Sequence, residues 1–316
     1  MNWLRLTKGF LLSLVFLFLF GYIISGVQYD FGNYLSSHKK ALLSADVSGE
    51  FQNAPAQIPT APAANVSQPL PPPEINAESA ISVESNLSDV NKTIFEKDSD
   101  TKLPIASLTK LMTAVIVLDN YDLSENITAD KYADSQDSMK QDIKLGDTMP
   151  IESFLEIMLV ESSNKSAYAL AEKVGEPAFV GLMNQKAKEI GLENTFYADP
   201  TGLSSENVST ASDLTKLAEY ILTNYPRIAD ISRAKEFYVP GFGEVQNTDE
   251  LLGEIPEIVC SKTGFTTQAK GCLLLVTDNA KGPEGYPDYL INVILGADDR
   301  FSEMRKMITW SSATCN

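Results

Sequence analysis

The sequence predicts an α+β domain built on an antiparallel sheet, and three observations carry that reading. Strand-like segments lie at both ends of the part that folds, with mostly helical patterns between them. A polar turn separates the first two of those segments, as in a hairpin. The chain then closes on an amphipathic helix, so helices and strands are segregated rather than alternating.

Residues 1–28 come first. Arg5 and Lys8 precede an apolar run from Phe10 to Val27 that would span roughly 27 Å as a helix, enough for a bilayer core. It reads as one transmembrane anchor with the basic flank in the cytoplasm, the alternative being a cleaved signal segment ending near Ser25-Gly26. Residues 29–76 form a Pro-rich tether, with seven prolines between Pro55 and Pro73, too polar to fold and kept extended by proline. Residues 77–316 are the folded domain.

Within it, Ala80 to Asn86 and Thr93 to Lys97 read as strands around the turn Asp89-Val90-Asn91-Lys92. Pro104 stands just ahead of a strongly apolar helix, Ser107 to Leu118. Helical patterns continue at Phe154–Val160, Ala167–Val174, Phe179–Ile190 and Leu214–Leu222. Strand character returns at Glu257–Thr263, Gly271–Thr277 and Tyr289–Gly296, before the last helix, Phe301–Trp310.

Composition excludes several kinds of chemistry. A net charge of −17 argues against nucleic acid, whose phosphates need clustered Lys and Arg. The single histidine, His38, precedes the folded domain, so neither a Ser-His-Asp triad nor a histidine-based zinc site fits inside it. Three cysteines cannot build a zinc cluster or a disulfide framework. No cofactor is implied, and a catalytic base must be Lys, Asp, Glu or Tyr.

A serine activated by lysine is therefore the arrangement to seek. Ser-x-x-Lys occurs six times and is nearly uninformative alone. Only Ser107-Leu108-Thr109-Lys110 opens a helix apolar enough to be buried. Residues three apart share a helix face, which brings Lys110 beside Ser107, and burial depresses a lysine pKa towards that of a base. The bland alternative is a capping serine with a snorkelling lysine. Ser-x-Asn occurs three times, but only Ser162-Ser163-Asn164 sits between two helices; Lys262-Thr263-Gly264 is the one Lys-Thr-Gly and ends a strand-like run. The ordered set, separated by 55 and 100 residues, is far more specific than any member of it.

With these three motifs, residues 79–316 resemble the serine D-Ala-D-Ala carboxypeptidases, the low-molecular-mass penicillin-binding proteins. The likeness extends through Leu145-Gly146-Asp147, Gly191-Leu192-Glu193-Asn194-Thr195, Asp199-Pro200-Thr201-Gly202-Leu203, Ser209 to Leu214, Asn247-Thr248 and Gly271-Cys272-Leu273. The resemblance implies a serine β-lactamase/DD-peptidase-like fold, an antiparallel sheet flanked by helices with a mostly helical insert. It implies Ser107 as nucleophile, Lys110 as its base and Ser162 as proton relay. Asn164 would orient Lys110 and the substrate amide, and Lys262 and Thr263, with Gly264, would bind the terminal carboxylate. Backbone N–H groups of Ser107 and Phe265 would form an oxyanion hole.

The implied substrate is a peptidoglycan stem peptide ending in D-Ala-D-Ala, with β-lactams as acylating inhibitors. The domain would stand on the outer side of a bacterial cytoplasmic membrane, attached through the N-terminal segment.

Two positions depart from the family pattern: Lys165-Ser166 follows Asn164 where Asp-Ala is usual, and Cys260 replaces a common glycine. Cys260 and Cys272 read as two small buried residues, with a disulfide between them as the alternative. Three other functions compete: endopeptidase action on cross-links, a non-catalytic peptidoglycan-binding module, and a serine β-lactamase. The last would need a loop glutamate, and the segment Glu189 to Glu193 is the nearest lookalike.

Overall fold

The computed structural model describes residues 71–87, 91–130, 143–279 and 288–314. All of them fall in one unit, Ser67–Asn316. Its centre is a five-stranded antiparallel sheet of β1 (Ser79–Ser85), β2 (Lys92–Lys97), β9 (Ile258–Thr266), β10 (Lys270–Asp278) and β11 (Tyr289–Ala297). The spatial order is β2-β1-β11-β10-β9, so the first and last of the described strands pair in the middle, Ile81 opposite Val293.

The sheet is covered on both faces, which explains the near-continuous apolar runs of its central strands. Leu273, Leu275 and Ile294 pack with Phe301, Met304 and Met307 of helix α7 (Arg300–Thr314). Leu274, Val276, Ile291 and Val293 face the larger core with the inserted helices. Those helices are α1 (Thr109–Asn120), α2 (Ile151–Val160), α3 (Asn164–Glu172), α4 (Glu176–Glu189), α5 (Ala211–Asn224) and α6 (Pro226–Ser232).

Helix α1 is the buried axle of the insert. Every residue from Thr109 to Val117 is buried. A helix apolar on all sides belongs in a core, where each full-length aliphatic side chain contributes roughly 1.5–3 kcal/mol by leaving water. The expected helix start at Ser107 is refined: Ala106–Leu108 form a 3-10 turn, and α1 begins at Thr109.

The other expected helices and strands are present, with ends moved by a few residues. One helix, one hairpin and four short strands are not anticipated by the sequence. Helix α6 begins at Pro226, directly after the cap of α5. The hairpin of β7 (Glu236–Val239) and β8 (Gly243–Gln246) is mostly polar and buries only Val239 and Val245, so no apolar alternation announces it. Small two-strand ladders join β3 (Leu103–Pro104) to β6 (Val208–Ser209) and β4 (Asn126–Thr128) to β5 (Thr148–Pro150).

The register of β9 and β10 bears on the cysteines. Cys260 lies opposite Val276 and Cys272 opposite Gly264, so they do not face each other; both thiols are free and buried. The folded core also reaches back past the expected start at residue 77: Ile75 is 3% exposed, its carbonyl accepting from Lys97 Nζ at 2.8 Å. The expected anchor and most of the tether lie outside the described residues. Among the described residues no helix is long and apolar enough to cross a membrane.

Candidate active site

Three elements converge on one cleft: the 3-10 turn ahead of α1, the α2–α3 junction, and the edge strand β9. Their approach depends on two glycines. A side chain at Gly202 would place its Cβ 1.9 Å from the carbonyl oxygen of Ala106, and Gly202 has φ of +86°. At Gly264 a Cβ would stand 3.0 Å from both the Ser107 nitrogen and the Ile105 oxygen. Gly264 thus lets β9 run against the amide of Ser107.

Two non-glycine residues here have left-handed backbones, Ala106 (φ 47°) beside the serine and Ser162 (φ 60°). Such conformations cost roughly 1–3 kcal/mol each and persist where the surroundings enforce them, often at functional sites.

On the helical side, Lys110 is fully buried and its Nζ has three partners. It lies 2.8 Å from Ser107 Oγ, 2.7 Å from Asn164 Oδ1 and 2.7 Å from the Thr201 carbonyl oxygen. Asn164 is placed because Ser163 caps α3, its hydroxyl accepting from the Ser166 amide. The Thr201 carbonyl is placed by Asp199. The Asp199 carboxylate accepts from the Thr201, Gly202 and Ser204 amides at 2.6, 2.7 and 2.8 Å, and from Asn207 Nδ2 at 2.7 Å. Thr113 Oγ1 ties the same loop to α1 by donating to the Pro200 carbonyl at 2.6 Å.

Burial drives the Lys110 pKa well down, Lys262 pushes in the same direction, and Asp199 opposes them. A neutral amine has two N–H donors and one lone pair. Asn164 Oδ1 and the Thr201 carbonyl can only accept, so they take the two donors. In that form the lone pair would face the Ser107 hydroxyl, whereas a protonated Nζ donates to all three oxygens.

On the strand side, Lys262 is 2% exposed, and its Nζ donates to Ser162 Oγ at 2.8 Å and to the Thr263 carbonyl at 3.0 Å. Burial first, then the nearby Arg300 guanidinium, lower its pKa to about 7, while Asp249 raises it. Thr263 Oγ1 meets Thr248 Oγ1. The Phe265 side chain is 58% exposed at the rim, and its backbone pairs with Gly271 in the β9–β10 ladder.

The expected residues Ser107, Lys110, Ser162, Asn164, Lys262, Thr263, Gly264 and Phe265 thus gather in one place. Other features are missed by sequence reasoning: the Asp199–Thr201 loop that supplies the third partner of Lys110, and Arg300, Thr248 and Asp249 around Lys262. The Asp199-Pro200-Thr201-Gly202 and Asn247-Thr248 strings are visible as motifs without a role. Arg300 carries no local signal, being brought to Lys262 by the return of β10 and β11. Of the two departures, Lys165 is buried and donates to the Ile143 carbonyl at 2.9 Å. Cys260 Sγ lies 3.4 Å from Ser232 Oγ in the core. Glu189 of the β-lactamase-like segment is occupied by Gln185 and Lys186, at 2.9 and 3.1 Å.

A hydroxyl 2.8 Å from a buried lysine amine, beside a strand carrying a second buried lysine, defines the class of active-site serine hydrolases with a lysine base. Comparison with known proteins makes this more specific. The D-alanyl-D-alanine carboxypeptidase family model matches residues 63–299. A protein of Escherichia coli K12 named D-alanyl-D-alanine endopeptidase is 34% identical over 261 residues, covering 79% of this chain and 81% of its own. Among solved structures, a D-alanyl-D-alanine carboxypeptidase from Mycobacterium tuberculosis H37Rv superposes with a TM-score of 0.68 at 25% identity, over 78% of this chain and 95% of its own. Penicillin-binding protein D2 from Listeria monocytogenes, in its ampicillin-bound form, gives 0.64 at 25% identity, over 76% and 99%. The chain belongs to the D-alanyl-D-alanine carboxypeptidase family of serine peptidases.

Proposed function

We propose that this enzyme removes the terminal D-Ala from peptidoglycan stem peptides through an acyl-enzyme on Ser107. The observation that carries the proposal is the environment of Lys110, whose Nζ lies 2.8 Å from Ser107 Oγ and beside two oxygens that can only accept.

In the first half-reaction the Ser107 proton passes to Lys110 Nζ as Oγ attacks the carbonyl of the penultimate D-Ala. The negative charge forming on that oxygen is met by the Ser107 and Phe265 amides, where Gly264 keeps the approach open. Breaking the C–N bond releases the last D-Ala, whose amine takes its proton through Ser162, itself held by Lys262. The substrate carboxylate lies against Lys262 and Thr263, near Arg300. Water then enters, gives a proton back through the same groups and frees the shortened peptide.

Penicillins acylate the same serine but keep their leaving group tethered, which obstructs water. Each tenfold difference in deacylation rate corresponds to about 1.4 kcal/mol. The N-terminal apolar run would hold this domain outside the membrane, which is where its substrate lies.

Ser107→Ala is expected to abolish covalent labelling by a fluorescent penicillin and D-Ala release from a pentapeptide, with the melting temperature kept. Intact mass should show one adduct per wild-type chain, and persistent labelling of the variant would reject Ser107 as nucleophile. A second reading, cleavage of cross-linked peptides, is favoured by the endopeptidase name of the Escherichia coli relative. A pentapeptide assayed beside a cross-linked dimer separates the two, because the chemistry is shared and only the leaving group differs.

A further inference from the structure

Strand β9 is last in the sheet order, so among the described residues its outer edge has no neighbouring strand. The segment Asn247–Leu252 lies against it instead. Asn247 anchors that segment: its Nδ2 donates to the Ser232 and Ala234 carbonyls, both at 2.9 Å, and its Oδ1 accepts from the Asp249 amide at 2.9 Å. Thr248 meets Thr263 through their hydroxyls, and the Ser261 hydroxyl donates to Asp249 Oδ2. The segment therefore grips the two residues on either side of Lys262. Asp249 Oδ1 accepts from the Leu251 amide at 2.9 Å, and the residue is 4% exposed.

We infer that Asp249 is a positioning residue for Lys262, fixing the strand around that lysine and supplying the buried negative charge that keeps its ammonium cationic in the cleft. The inference rests on the proposed reading, in which a charged Lys262 binds the substrate carboxylate.

The charges around this point are unbalanced without Asp249. Burial first and then Arg300 disfavour the charged form of Lys262, which in turn disfavours that of Lys110. Arg300 itself is influenced by Asp249, Glu250, Asp299 and Cys272. Of the acidic groups named here, Asp249 is the one that acts on Lys262. Its own pKa is raised by burial and held back by Ser261, the Leu251 amide, Arg300 and Lys262.

Asp249→Asn isolates the charge, because an amide of the same shape can still accept from the Leu251 amide and pair with the Ser261 hydroxyl. The readouts are the pH dependence of kcat/KM for D-Ala release from a pentapeptide and of the acylation rate by a penicillin. In the wild type both should fall as pH rises through about 7, the pKa of Lys262. In the Asn variant the fall is expected about one pH unit lower, with rates below the fall within a fewfold of wild type. Ser261→Ala removes the hydrogen bond and keeps the charge, so its alkaline limb should stay at the wild-type position.

Coincident wild-type and Asn profiles, or a Ser261→Ala limb displaced as far as the Asn limb, would overturn the inference. Loss of D-Ala release with penicillin acylation intact would count against the functional reading alone, since the penicillin profile still reports Lys262.

Discussion

The two sides of the cleft each hold a buried lysine, and their surroundings separate the roles. Lys110 is met by three oxygens, two of which cannot donate, so a neutral amine there would turn its lone pair to Ser107. Lys262 has two acceptors, Ser162 Oγ and the Thr263 carbonyl, and a buried carboxylate among its neighbours. Burial lowers both pKa values, but Asp199, the acidic group near Lys110, is already occupied by backbone amides and Asn207. The lesson is that burial alone does not make a lysine a base. Partner geometry decides which lysine gives up its charge.

The largest loss is expected at Lys110. Lys110→Met is expected to slow acylation by penicillin about 10³-fold, within the range of lost general-base catalysis. Stopped-flow or quenched labelling would show it, and a loss under tenfold would mean that another group takes the Ser107 proton.

Gly202→Ala attacks the same side through packing. With φ of +86° and the carbonyl of Ala106 1.9 Å from the new Cβ, the 199–207 loop must move. A stability loss of about 3 kcal/mol is expected, at the upper end of the usual range for a point substitution. Denaturant unfolding would read it, and an unchanged midpoint would show that the loop yields.

Lys262→Met sharpens the contrast, with a smaller effect on rate and the opposite sign on stability. It should cost roughly 10–100-fold in kcat/KM, as expected for a lost charged hydrogen bond of about 1.5–3 kcal/mol. It should also remove the preference for a free C-terminal carboxylate over its amide. A lysine whose folded-state pKa lies near 7 loses its proton on folding between about pH 7 and its ordinary value of 10.5. The unfolded chain binds the extra proton, so this lysine opposes folding most at low pH, and the opposition fades as pH rises through that window. Melting curves at pH 6 should therefore show the Met variant more stable by about 1 kcal/mol or more, with the gain shrinking above pH 7. A destabilised variant at pH 6 would show that the hydrogen bonds outweigh desolvation.

Much of this site was legible because its chemistry is local. Ser107 and Lys110 share one turn, and Ser162, Ser163 and Asn164 span a single helix junction, so motif and geometry coincide. The antiparallel sheet was legible too, as the double-faced burial of β10 and β11 leaves unbroken apolar runs. What stayed hidden depends on distant chain segments meeting. Arg300 reaches Lys262 because the last strands return beside β9, and Asp249 does so because an irregular segment covers an edge. The hairpin of β7 and β8 was silent for a different reason: it buries too little to impose a pattern.

Where the chain enters the fold has a mechanical consequence. Ile75 and Ala77 are buried in the smaller core under α7, and the Asn76 amide donates to Glu303 Oε2 at 3.0 Å. Ser107 and Ser162 belong to the insert packed on the opposite face of the sheet. A pull applied to the chain ahead of Pro71 is therefore borne first by the Ile75 contacts, the hydrogen bond to α7, and the ladder of β1 with its two neighbours. Tension on that lead would be dissipated in shear along the sheet before it could shift Ser107 relative to Lys110.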